Sequence, residues 1–224
     1  MGNDAVDPGD RRARAWELSE ELRRIVEALA VCDVAPDQLD AATRLARELR
    51  SRLGGPPRSR WYDADEDTRS LGPESRSAYL EQSPIRGRNN PIAPPLVVDT
   101  IEREGGDRGV MGRARLGMAY EGPPHGVHGG WIAALFDELL GSAQGLTTSP
   151  GVTAKLTIRY RQITPIDADL RFEGWIARDE GRGIVAKATC HVGNTLTADA
   201  EGLFVRVDFN QIEERMQRRS PKAE

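Results

Sequence analysis

Residues 125–138 read HGVHGGWIAALFDE, two histidines and a glycine pair leading into an apolar run that ends in two acids. Three chemistries share this composition: a metal site, a hydrolytic nucleophile, or a glycine-opened helix start that polarises a carbonyl. For a metal, His125 and His128 stand three residues apart across a Gly-Val turn, and the third histidine, His191, falls on an expected strand. No CxxC or HExxH spacing supports them, so no metal is expected. For a serine triad, Ser142 would have to pair with His191, but GSAQG at 141–145 lacks the G-x-S-x-G elbow and buries Ser142 in a helix.

The third chemistry accounts for more residues. A helix over 129–145 that starts at Gly129 and Gly130 offers unpaired backbone N–H groups, with the positive end of its dipole behind them. Such a terminus suits an anion or a developing oxyanion. Gly130, Ala133, Ala134, Asp137, Gly141 and Gln144 recur at three- and four-residue spacing, a face of small residues carrying one acid and one amide. Ile132, Phe136, Leu139 and Leu140 lie on the other faces and read as core. Two accounts of the small face stay open: close packing on a sheet with Asp137 paired to an arginine, or a ligand-facing surface whose acid is kept for chemistry.

Geometry adds a constraint. Gly130 and Asp137 are seven residues apart, roughly 10 Å along the axis at about 1.5 Å per residue, so one carbonyl cannot touch both. If both serve one reaction, the acid comes from a second, antiparallel copy of the helix. That arrangement predicts a homodimer with two equivalent interface sites.

Outward from this helix the texture is of short strands. PLVVDTIERE (95–104) and GVMGRARLGMAYEG (109–122) precede it; VTAKLTIRYRQI (152–163), DLRFEGWIARDE (169–180), GRGIVAKATCHV (181–192) and LTADAEGLFVRVDF (196–209) follow it. Period-two alternation over Ala114, Leu116, Met118 and Tyr120, over Val152, Ala154, Leu156, Ile158 and Tyr160, and over Ile184, Ala186, Ala188, Cys190 and Val192 gives each strand one buried face. DEGRG at 179–183 reads as a hairpin turn. One helix among strands joined by hairpins is an α+β arrangement, an antiparallel sheet with helix on one face.

Toward the N-terminus, AWELSEELRRIVEALAV (15–31) and DQLDAATRLARELRSRL (37–53) are amphipathic helices, the second ended by GGPP. The organisation expected is a helical hairpin over 1–55, a Pro/Gly/Arg-rich connector over 56–94, the main domain over 95–210 and a frayed tail over 211–224. A formal net charge of −4 gives no attraction to nucleic acid. No apolar stretch is long enough to span a membrane. The two cysteines, Cys32 and Cys190, are too few for a disulfide scaffold and read as free thiols of a cytoplasmic protein.

HGGWIAALFDE, preceded by GPP and followed by a strand beginning VTAKLTIRY, resembles the hotdog-fold thioesterases, the phenylacetate-type and mammalian-type acyl-CoA thioesterases above all, over about 90–208. Their HGG-x6-D pattern is met by His128, Gly129, Gly130 and Asp137. The resemblance implies a sheet wrapped around a long central helix and hydrolysis of an acyl-CoA to free acid and CoA, with no bound cofactor or metal. It further implies a homodimer or dimer of dimers with sites at the interface. Gly129 or Gly130 would offer its N–H to the thioester carbonyl, and His128 would shape that pocket. Asp137 of the other subunit would be nucleophile or general base, and Thr153, early in the next strand, would assist. Phenylacetate-type members often carry an asparagine six residues ahead of the HGG histidine; Gly122 stands there. A non-catalytic acyl-CoA or lipid-binding protein of the same fold and an enoyl-CoA hydratase remain the alternatives.

Overall fold

The computed structural model describes residues 8–56, 80–147 and 151–207. The frayed tail expected over 211–224, and much of the connector, lie outside them. The chain forms two compact units that divide between Pro95 and Leu96.

The first unit carries α1 (Pro8–Val31) and α2 (Pro36–Arg52). Arg23 ties α1 to the turns that follow residue 80: its guanidinium donates to the carbonyls of Ala93, Gly87, Arg88 and Asn90. Arg88 lies over the Trp16 ring at 4.1 Å, and Arg12 pairs with Glu81 at 2.9 Å. Prolines deny regular structure to 86–95, and one half-buried arginine satisfies four of the carbonyls there. By contrast α2 buries none of its residues.

The second unit is a single antiparallel sheet and one long helix. Strands β1 (Val97–Glu102), β2 (Arg108–Arg115), β3 (Gly151–Tyr160), β4 (Asp169–Glu180), β5 (Gly183–Val192) and β6 (Thr195–Arg206) run in the order β1-β2-β4-β5-β6-β3. Between β2 and β3 comes α3 (Gly129–Gln144), whose only charged residues are Asp137 and Glu138. A helix so nearly apolar all round belongs inside a fold, and α3 meets five of the six strands. This is the α+β, helix-in-sheet architecture expected of a hotdog fold.

Side-chain volumes explain how close the helix comes. Ile132, Leu135, Phe136, Leu139 and Leu140 project from α3 and are at most 1% exposed. Opposite them the strands carry small residues, Ala186, Ala188 and Cys190 on β5 and Ala198 and Ala200 on β6, all buried. Large knobs on small-residue rows let the two layers interdigitate at interior density. The limit is reached at Gly112, where a Cβ would come within 2.7 Å of Leu139 Cδ1 and 3.2 Å of both Leu96 Cδ1 and Phe172 Cβ. Phe136 and Phe172 meet edge to face at 5.3 Å. The alternation read over 184–192 holds as far as Cys190: Ile184, Ala186, Ala188 and Cys190 are buried, and Val192 at the strand end is half-buried.

Two of the sequence expectations are corrected. The strand read over 109–122 ends at Arg115; Leu116 is buried, but the chain then turns into a short 3-10 helix, Met118–Tyr120, with Met118 45% exposed. The Asp167 N–H donates to the Leu116 carbonyl and stops the ladder there. The expected buried face of β3 is absent, since no residue of that strand is buried in the single chain. Moreover, a β-bulge between Thr153 and Lys155 breaks its alternation.

Candidate active site

The start of α3 is held from both sides of the chain. His128 donates its backbone N–H to the Tyr120 carbonyl and Val127 to that of Thr164. Isolated bridges join Glu121 to Val127 and Gly126 to Pro165. Trp131, in the first turn, packs edge-on to Tyr120 at 4.9 Å between centroids. His128 is the N-cap, and its ring Nδ1 accepts the Gly130 N–H at 3.0 Å. An accepting Nδ1 carries no proton, so the neutral ring has its proton on Nε2.

This cap sorts the two glycine amides. The Gly130 N–H is engaged by His128, while the Gly129 N–H has no partner among the described residues. The peptide between them is also held at its other end: the Tyr160 hydroxyl donates to the Gly129 carbonyl at 2.8 Å. One peptide plane is therefore fixed by a histidine at its N–H and a tyrosine at its C=O. Sequence reading placed Tyr160 only as a member of an alternating strand; its partner lies 31 residues away, and no local pattern signals it.

Asp137 lies two turns further on, exposed in the single chain, and its Oδ1 accepts the Thr153 hydroxyl at 2.9 Å. The bulge makes this bond possible. Thr153 pairs with Phe204, and beyond the bulge Leu156 pairs with Gly202, Ile158 with Ala200 and Tyr160 with Ala198. Directly paired residues share a face, so Thr153, Leu156, Ile158 and Tyr160 all point to the helix side. In an unbroken strand Thr153 and Leu156 would point oppositely, because faces alternate with period two. One inserted residue re-aims the threonine at the carboxylate. Among the described residues the hydrogen-bond partner of the Asp137 carboxylate is the Thr153 hydroxyl.

The remaining candidates fall into structural places. Gln144 is 6% exposed; its amide donates to Thr147 Oγ1 at 3.1 Å and accepts the Gly151 N–H at 3.3 Å, closing the α3–β3 connection. Ser142 donates back to the Glu138 carbonyl within the helix at 3.0 Å. His125 adopts φ 59° and gives its N–H to the Glu121 carboxylate at 2.6 Å. His191 lies on β5, opposite Arg171 on β4, and its buried Nδ1 has no partner among the described residues. Burial first, then the Arg171 guanidinium, hold its pKa below the ordinary histidine value, with Glu173 opposing. Among the described residues no cluster of three His, Cys, Asp or Glu is placed to hold a metal ion.

The glycine that replaces the phenylacetate-type asparagine has a steric reason. A Cβ on Gly122 would stand 2.7 Å from His128 Cα and 3.0 Å from its Cβ. The backbone at 122 is packed against the N-cap, and no side chain fits there while His128 keeps its place.

Comparison with known proteins agrees with this architecture. The chain is 28% identical over 93 residues to an acyl-coenzyme A thioesterase, THEM4, of Xenopus laevis, and 28% identical over 97 residues to THEM5 of Homo sapiens. These stretches are 41% and 42% of this chain and 42% and 39% of those proteins, so the chain spans about two fifths of the relatives it matches. A crystal structure of a thioesterase superfamily protein superposes with a TM-score of 0.71 at 28% identity, covering 85% of this chain and 94% of that one. No family model matches the chain. In fold and in sequence, the chain is similar to proteins of the hotdog-fold thioesterase superfamily.

Proposed function

We propose that the protein is an acyl-CoA thioesterase acting as a homodimer, in which the helix start of one protomer and Asp137 of the other face a single thioester. The observation that carries this reading is the Thr153–Asp137 hydrogen bond of 2.9 Å, made across a bulge on the exposed side of α3. A carboxylate left exposed and oriented by a hydroxyl has the geometry of a working base.

The steps follow from the groups present. The thioester carbonyl oxygen receives the Gly129 N–H, free of any other partner among the described residues, so charge that develops on this oxygen meets a donor already aimed and backed by the helix dipole. Oδ1 of Asp137 is engaged by Thr153, and Oδ2 takes a proton from water as the water oxygen bonds to the acyl carbon. The C–S bond then breaks, CoA leaves as thiolate and receives that proton, and the free acid remains. The same carboxylate serves if it attacks directly and water hydrolyses the resulting anhydride. Neither route uses a bound cofactor.

The test is thiol release from short, medium, long and aromatic acyl-CoAs by the wild type and by Asp137→Asn. A general base contributes about 10²- to 10⁴-fold, so release in the variant falls by at least about 100-fold with helix content and oligomeric state unchanged. Binding of every acyl-CoA without release by the wild type would replace this reading with an acyl-CoA-binding protein. Hydration of an enoyl-CoA would replace it with a hydratase.

A further inference from the structure

We propose that His128 is a pH-operated latch on the start of α3: the neutral ring holds the Gly130 N–H, and the protonated ring releases it and slows the hydrolysis proposed above. The latch itself stands on the cap geometry; its effect on rate rests on that functional reading. Nδ1 accepts the Gly130 N–H at 3.0 Å, and only a neutral imidazole has a nitrogen free to accept. A proton arriving from water binds this nitrogen and turns the acceptor into a donor, so two N–H groups then point at each other. The ring also becomes a cation at the positive end of the helix dipole, where a cation is disfavoured. Both effects act in one direction, and the bond is lost as pH falls.

The surroundings decide where the ring goes and what moves with it. His128 is exposed, so the charged ring can turn out into water. On the opposite side a Cβ on Gly122 would stand 3.0 Å from His128 Cβ and 3.1 Å from its Cδ2, so the backbone at 122 closes that direction. The titratable and charged groups on the segments around the cap are Tyr120, Glu121 and His125 before the helix, Asp137 and Glu138 along it, and Tyr160 and Arg161 where β3 ends. Four of these bond elsewhere: Glu121 accepts the His125 N–H, Asp137 accepts the Thr153 hydroxyl, Tyr160 donates to the Gly129 carbonyl and Arg161 pairs with Asp199. Release of Gly130 leaves the Gly129–Gly130 peptide with one anchor, the Tyr160 hydroxyl on its carbonyl. The neighbouring Gly129 N–H is then aimed less well. A whole oxyanion donor is worth about 10²- to 10³-fold, and misaiming one costs less, about 10-fold in rate.

The experiment follows the full chain from about pH 8 to about pH 5, the range in which histidine side chains take up a proton. His128→Asn supplies the comparison, since asparagine caps a helix through its side-chain carbonyl oxygen whatever the pH; His125 is present in both chains and cannot make the difference. In the wild type the Gly130 amide proton shift is expected to move along the same curve as the His128 ring protons, and in His128→Asn to stay fixed. Thiol release, taken relative to each chain's own rate at about pH 8, is expected to fall about 10-fold further in the wild type than in the variant. A Gly130 amide that stays fixed while His128 titrates, one that moves as much in His128→Asn, or a His128 ring that stays neutral down to about pH 5 would overturn the inference. So would a wild-type rate that rises as the ring gains its proton. If no acyl-CoA releases thiol at any pH, the hydrolase reading fails, and the Gly130 amide still decides the latch.

Discussion

Replacing Tyr160 by phenylalanine removes one hydroxyl and leaves the ring that lies 3.4 Å from where a Gly129 Cβ would be. The bond lost is the 2.8 Å donation to the Gly129 carbonyl. Because Tyr160 is 52% exposed, this neutral hydrogen bond is worth no more than about 1 kcal/mol to stability, a shift of about 2–4 °C in Tm for a chain of this size. The effect on catalysis is expected to be larger. The Gly129–Gly130 peptide keeps its N–H anchor on His128 but loses its carbonyl anchor, so the neighbouring Gly129 N–H is aimed less well at a developing oxyanion. A whole oxyanion donor is worth about 10²- to 10³-fold. Misaiming rather than deleting it should lower kcat about 10-fold, or about 1.4 kcal/mol of barrier. KM should stay within about twofold, since the interaction strengthens only as charge develops. Thiol-release kinetics measure the consequence, and hydrogen exchange at the Gly130 amide measures the clamp itself, rising in Tyr160→Phe even without substrate. A kcat within twofold of wild type in a variant whose Gly130 amide exchanges faster would refute the reasoning, and so would a loss confined to KM.

Other expectations follow from packing and titration. Gly112→Ala drives a methyl into Leu139, which is fully buried; overpacking of about 1–3 kcal/mol predicts a Tm lower by roughly 2–12 °C, and an unchanged melting curve would show that the sheet yields there. Burial pushes the Cys190 thiol up to about 11, so at about pH 8 a disulfide reagent should titrate one thiol, the exposed Cys32, in the native chain and both after unfolding; rapid labelling of two in the native chain would contradict this. Burial and then the Arg171 guanidinium hold the His191 pKa below the ordinary histidine value. The depressed pKa contributes stability that is complete above the unfolded value of about 6.5 and is lost as pH falls toward the folded one. Denaturant unfolding from about pH 7 to about pH 5 should therefore fall less steeply in His191→Gln than in the wild type; parallel curves would remove His191 as the cause.

How much of this could be read from the chain divides along the range of the interactions. The apolar run after HGG, the alternation of β5 and the turn between β4 and β5 are local patterns, and local periodicity reports them because burial acts on each residue separately. The core of α3 was legible for the same reason. What the sequence conceals is register. Nothing in VTAKLTIRY marks Ala154 as an extra residue: its neighbours alternate acceptably with or without it, and only pairing with β6 some fifty residues later places the bulge. A plain strand puts Thr153 on the face away from Leu156, and with it away from Asp137. Motif resemblance named Thr153 without a structural cause, and the bulge supplies one. Gly122 divides the same way: in sequence it is a missing amide, and in the fold it is the space that His128 needs to cap Gly130. The departure from the phenylacetate-type pattern and the retention of the N-cap are then one steric fact. Any relative that carries a side chain at this position must hold its HGG histidine differently, and must leave a different amide free at the start of the helix.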